Sequence, residues 1–220
     1  MSGYDYEYEW DSRYCYSGSN VLKNKLDILD GEALATAERE ITAARIAGIL
    51  DRPVRGRLGF KHLCDIHRAI FRDVYDWAGK TRTVNIAKGN PFCMSHAIPT
   101  YAEDIFTKLE NEGFLYDTPA DEIPKRLTYY LSEINVLHPF REGNGRAQRL
   151  FIEYLAQSAG HRVDFSDVSS SEMIEASVLS FDKDYGKMTS LFQHILSPVT
   201  PQEQQAFRKR IGLDRTERER

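Results

Sequence analysis

Apolar residues recur every three to four positions along most of the 220-residue chain, the period of a helix buried on one face. From Glu32 to Leu50, good helix formers carry Leu34, Ala37, Ile41, Ala44 and Gly48 at that spacing, and Pro53 and Gly56 end the run. Phe60, Leu63, Ile66, His67, Ile70 and Val74 make a clearer stripe and predict a core helix from Phe60 to about Asp73. Pro99 to Glu112 aligns Tyr101, Ile105 and Leu109 before a stop at Gly113. Asp121 to Leu137 aligns Ile123, Leu127, Tyr130, Ile134 and Leu137, so its C-terminal end should run through the core. Arg146 to Ala159 supplies Ala147, Leu150, Phe151, Tyr154 and Leu155, and Gly160 closes it. Val168 to Leu179 and Tyr185 to Leu196 are two more helices, stopped by Pro198. One interval breaks the rhythm. Thr83 to Ile86 reads as a strand, Lys88-Gly89-Asn90-Pro91 as a turn and Phe92 to His96 as a returning strand, a small β-hairpin in an otherwise all-α helical bundle.

The ends differ in character. Tyr4, Tyr6, Tyr8 and Trp10 alternate with acidic residues, and residues 1–13 are expected to form a mobile segment, with one of these tyrosines a conceivable self-acceptor. Residues 14–197 form the domain. Residues 198–220 are expected to be a charged surface helix and tail, since ten charges fall after Pro201. A chain of this length supports one well-packed domain. Its 41% apolar and 28% charged content is that of a soluble globular protein. The net charge of −4 leaves no basic footprint, so no nucleic-acid partner is expected. Cys15, Cys64 and Cys93 are odd in number and widely spaced, which points away from a disulfide framework or structural zinc and toward a reducing cytoplasm. No membrane span or signal peptide is expected; delivery by a dedicated secretion machine would leave no such mark.

The chemistry concentrates between His138 and Arg149, the sequence His-Pro-Phe-Arg-Glu-Gly-Asn-Gly-Arg-Ala-Gln-Arg joining two predicted helices. Gly143 and Gly145 flank Asn144, which lets backbone N–H groups turn into one concavity just where a helix begins, and such a nest favours an anion. Arg146 and Arg149, three apart, lie about 60° from each other around the helix and can hold the far end of a polyphosphate. Glu142 is the loop's one carboxylate and the candidate Mg²⁺ ligand. Pro139 biases His138 away from helix, and an imidazole there suits a general base at neutral pH. Arg141 is read as a solvated side chain, and Glu153 as a partner that orients Arg149. His62 and His67, five apart, do not converge on a metal and are read as ordinary structural histidines.

This run resembles the signature of Fic-domain proteins, His-Pro-Phe-x-Asp/Glu-Gly-Asn-Gly-Arg-x-x-Arg, at every fixed position. Tyr14-Cys15-Tyr16-Ser17-Gly18-Ser19 resembles the family's entry segment, with Asn20 placed to cap a short helix after it, and Asp76-Trp77-Ala78-Gly79-Lys80-Thr81-Arg82 resembles the run leading into the family's flap. The resemblance implies the Fic fold, a helical bundle around a central helix-loop-helix with a hairpin flap over the active site. It implies transfer of AMP from ATP, with Mg²⁺, to a Tyr, Thr or Ser hydroxyl of a target protein. His138 would be the base. Gly143, Asn144, Gly145, Arg146 and Arg149 would bind nucleotide, and Glu142 the metal. Asn85, Ile86, Ala87, Lys88, Gly89, Asn90, Pro91 and Phe92 would form the flap that docks the target. Gly145 favours AMP transfer over phosphorylation, because kinase relatives carry lysine there. The alternatives are transfer of UMP or phosphocholine, or a silent peptide-binding module; a metal hydrolase lacks ligands. An inhibitory Ser/Thr-x-x-x-Glu-Gly/Asn helix is not completed: Thr36 to Glu40 is followed by Ile41, and Ser171 to Glu175 by Ala176. The chain therefore resembles bacterial toxins or effectors held off by a separate small antitoxin that carries that helix.

Overall fold

A computed structural model of the chain describes residues 12–213 and the backbone of Glu7 and Tyr8. In chain order the elements are β1 (Glu7–Tyr8), α1 (Gly31–Asp51), α2 (Phe60–Phe71), β2 (Ile86–Lys88), β3 (Asn90–Pro91), α3 (Ile98–Asn111), α4 (Ile123–Leu137), α5 (Asn144–Ser158), β4 (His161–Val163), α6 (Ser170–Phe181), α7 (Gly186–Ile195), β5 (Leu196–Pro198) and α8 (Pro201–Ile211). α4 is the hub, packed against α3, α5, α6 and α7, while α5 also meets α2 and α8. Ile134, Leu137, Phe151 and Leu155 on the facing sides of α4 and α5 are fully buried. Removing such side chains from water is the main stabilising contribution, about 1.5–3 kcal/mol each. The bundle thereby fixes the loop between α4 and α5 from both ends.

Local signals set the helix limits. Asp30 accepts from the Ala33 N–H at 2.8 Å to start α1. Ser169 with Glu172, and Thr200 with Glu203, close reciprocal caps on α6 and α8. α4 stops because Pro139 follows, and His138 takes the left-handed conformation, φ 41° and ψ 60°.

Several expectations need correction. The buried face of α1 is Leu34, Glu38, Thr42 and Ile49, not the purely apolar stripe, because Glu38 and Thr42 are satisfied by an arginine of α5. The hairpin is tighter than expected, its first strand later and its second earlier: Ala87 pairs with Pro91 and Lys88 with Asn90 around Gly89, and residues 95–97 form a 3₁₀ turn. β1 adds a third strand, with Glu7 opposite Ala87 and Tyr8 opposite Ile86. The other alternating aromatics of the N-terminus, and the last seven residues, lie outside the described residues. No helix follows Asn20. There Asn24 organises a turn, accepting from the N–H groups of Leu26 and Ile28 and donating to the Leu22 and Ile28 carbonyls. The C-terminal helix is docked as well as charged: Phe207, Ile211 and Leu213 are buried in the main core. β4 pairs with β5 in a small ladder that the apolar pattern did not announce.

Candidate active site

The site begins at the end of α4. His138 is 5% exposed and its Nδ1 lies 3.0 Å from the Asn135 carbonyl, which only accepts, so Nδ1 carries the proton and Nε2 is the basic position. Burial lowers its pKa to about 3, with Arg82 and Lys88 adding to the effect. Phe92 from the flap stacks on its ring, centroids 3.7 Å apart and nearly parallel. The imidazole is therefore neutral, oriented and shielded.

The loop between α4 and α5 is built on α2. Gly143 has φ 80°, and a Cβ there would stand 2.2 Å from the Phe71 ring, so both backbone angle and space demand glycine. His67 accepts the Gly79 N–H at Nδ1 and therefore donates from Nε2 to the Glu142 carbonyl at 3.0 Å. It is fully buried against Phe71 and Phe140, and burial lowers its pKa to about 4. His62 is likewise a structural histidine, bonded to the Val54 carbonyl.

Asn144 spans the loop from inside. It accepts the Phe140 N–H at 2.9 Å and donates to the Phe140 carbonyl at 2.7 Å, so its amide shapes the loop and does not line the cavity. The Glu142 carboxylate accepts the Gly143 N–H at 2.8 Å and lies 3.7 Å from Arg146. Burial raises its pKa, and Glu38 raises it further, against the pull of the Gly143 N–H and Arg146.

Arg146 and Arg149 are not together. Arg146 points to α1, 2.5 Å from Glu38 and 3.0 Å from Thr42, with its guanidinium 4.6 Å over the Phe71 ring. Tyr75 donates to the other oxygen of Glu38. Arg149 instead lines a cavity of about 220 Å³. No carboxylate among the described residues pairs directly with it; Glu153 acts on it only through its charge. Gly145 lies inside α5 with helical geometry and is not part of the turn expected at both glycines; a Cβ there would come within 3.3 Å of an Arg149 nitrogen. Arg141 is buried, beside Cys15 and over Tyr14, not solvated.

That cavity brings together Lys88, Asn90 and Phe92 of the flap, His138, and Gly145 with Arg149. α4 and α6 close it with Ser132, Asn135, Met173, Ile174 and Ser177. Of the remaining flap residues, Asn85 accepts the Ser95 N–H, Ile86 is buried, Ala87 is half-buried, and Gly89 and Pro91 are exposed. Sequence reasoning missed Glu38, Thr42 and the α6 wall. A buried glutamate amid helix formers carries no local signal, and α6 meets the site only through tertiary packing.

Fold and site define a helical domain that gathers a neutral histidine, an arginine at the start of a helix, and a β flap on one cavity. The Fic/DOC family profile matches residues 57–156. The chain is 39% identical over 186 residues to a probable protein adenylyltransferase Fic of Salmonella typhimurium, an alignment covering 84% of this chain and 92% of that one. It is 37% identical to the protein adenylyltransferase VbhT of Bartonella schoenbuchensis, over 84% of this chain and 41% of VbhT. The crystal structure of BepC, a VirB-translocated effector of Bartonella tribocorum with bound AMPPNP, matches with a TM-score of 0.80 at 28% identity, over 86% of this chain and 99% of that one. The chain belongs to the Fic/DOC family.

Proposed function

We propose that this protein transfers AMP from ATP to a Tyr, Thr or Ser hydroxyl of a target protein, releasing pyrophosphate. The observation that carries this is the shared cavity: a base with its tautomer fixed faces the same space as the flap and Arg149. A hydroxyl presented by the flap gives its proton to His138 Nε2 as its oxygen bonds to the α-phosphorus and the bond to pyrophosphate breaks. Arg149 meets the outer phosphates, and Gly145 leaves room for its fork. Arg146 can join only by leaving Glu38, so we assign it second place. The Gly143 N–H holds an internal anion, the Glu142 carboxylate, and is released to a phosphate when Glu142 turns away.

The residues fit Mg²⁺ held largely by phosphate. Glu142 offers one half-buried carboxylate, and no cluster of three or more potential ligands occurs among the described residues, which suits a nucleotide-borne ion and not an all-protein cage. When bound, it would supply charge neutralisation on the phosphates.

Control by a separate antitoxin is part of the proposal, supported by the lack of an in-chain carboxylate paired with Arg149 among the described residues and by the likeness to VbhT. No described helix is long and apolar enough to cross a membrane; action in the cytoplasm, of the producing or a recipient cell, is proposed with it. The test uses α- and γ-labelled ATP in lysate. Wild type should label protein from the α position alone, and His138→Ala should lose about 10²–10⁴ in rate. A small protein with the Ser/Thr-x-x-x-Glu-Gly/Asn helix should suppress labelling until its glutamate is removed. Label from the γ position would make the protein a kinase instead.

A further inference from the structure

Beside His138 lies a buried cation outside the motif, Arg82, whose side-chain hydrogen bonds all run to backbone. It is 2% exposed. Its Nε donates to the His138 carbonyl at 2.8 Å, Nη1 to the Val84 carbonyl at 2.7 Å, and Nη2 to the Cys93 carbonyl and, at 3.5 Å, to that of Leu137. Its own N–H donates to the Pro139 carbonyl at 2.8 Å. Val84 and Cys93 lie on either side of the hairpin, and Leu137, His138 and Pro139 are the turn where α4 ends. One planar fork thus joins both legs of the flap to the backbone of the catalytic residue.

The acceptors explain why an arginine is needed. The last carbonyls of α4 have no partner within the helix and carry the negative end of its dipole, so a buried cation there is favoured where a neutral donor would be weaker. His138 adopts a left-handed conformation, and the turn is further tied to the flap by the Cys93 N–H donating to the Val136 carbonyl at 2.9 Å. Phe92, next to Cys93, then rests its ring on the His138 imidazole. Lysine offers a single ammonium and cannot span four carbonyls in one plane.

We propose that Arg82 is the positioning residue that sets the flap and the His138 imidazole as one unit, so that the edge receiving the target and the base receiving its proton keep a fixed separation. This rests on the AMP-transfer reading. Arg82 is not among the residues lining the cavity, and none of its hydrogen bonds runs to Arg149 or Gly145, so its replacement is expected to leave nucleotide binding largely intact.

The experiment compares wild type with Arg82→Lys. The variant should bind AMPPNP within about twofold of wild type, while transfer to protein falls about 10²-fold through kcat, the scale of a misplaced base. The NMR signals of the His138 ring, shifted by the Phe92 face, should move toward unstacked values. Transfer at the wild-type rate, an unmoved His138 signal, or a loss of transfer matched by an equal loss of AMPPNP affinity would each overturn the assignment. Hydrogen exchange on wild type decides the case where Arg82→Lys does not fold. The Phe92, Cys93 and His138 amides should open together, and a flap that exchanges long before His138 would refute the coupling. Failure of wild type itself to transfer α-label, with Phe92, Cys93 and His138 still opening together, would sink the AMP reading and leave the coupling standing.

Discussion

The two motif glycines separate two physical demands that look alike in sequence. Gly143 combines a positive φ with a ring directly under its α-carbon, so Gly143→Ala adds left-handed strain of about 1–2 kcal/mol to a steric clash with Phe71. It should lower the urea midpoint sharply or prevent folding. Gly145→Ala meets only the tip of a long side chain. It should fold normally and raise the KM for ATP about tenfold by displacing the Arg149 fork, a change near 1.4 kcal/mol. Measuring melting and ATP kinetics on both variants distinguishes a loop glycine from a ligand-space glycine. The sequence singled out both positions, and the histidine proposed as base, because motif spacing encodes them. It read Arg141 as solvated where the structure buries it, and it did not foresee the Asn144 bonds to Phe140 or the Arg146 pair with Glu38, since what a polar side chain faces depends on which element lies opposite. For Arg146 that element is α1, more than a hundred residues earlier.

At the scale of elements, helix periodicity gave the limits of α1 to α7 within a few residues, most clearly where a helix buries one continuous stripe. The buried face of α1 and the register of the flap were less legible for a shared reason: their partners are polar. Glu38 and Thr42 are buried for Arg146, and the flap legs are held by Arg82, so an apolar count undervalues both. α8 was undervalued by its charge. Its Gln204 and Arg208 donate to the Ser158 carbonyl at the end of α5, and Phe207 packs edge-on against Tyr154. Ending the chain after Pro198 removes three buried apolar side chains, Phe207, Ile211 and Leu213, and should cost about 5–9 kcal/mol at roughly 1.5–3 kcal/mol each. Chemical denaturation of the shortened chain measures this; a midpoint equal to that of the full chain would show that α8 contributes nothing.

Across the whole molecule, stability should depend on pH with two opposing slopes. His67 and His138 have pKa values lowered to about 4 and about 3 by burial. Below pH 6.5 the unfolded chain binds protons that the folded one refuses, so their contribution is intact above 6.5 and is lost as pH falls, on the order of 3 kcal/mol for His67. Glu153 runs the other way. Burial raises its pKa to about 7, so the folded form holds a proton more strongly and stability falls as pH rises from 4.5 to 7. Glu153→Gln should therefore steepen the acid loss, and His67→Gln should flatten it, in denaturation midpoints taken from pH 4 to 8. An unchanged profile in both would refute the burial argument. The Asn144 amide, joined at both ends to Phe140, has one more consequence. Ordering a backbone residue costs about 1–2 kcal/mol of conformational entropy, and the five residues from Phe140 to Asn144 are ordered when the chain folds. On the proposed function, nucleotide would meet a loop with little freedom left to lose, so its contacts would go into affinity and alignment, not into ordering the loop.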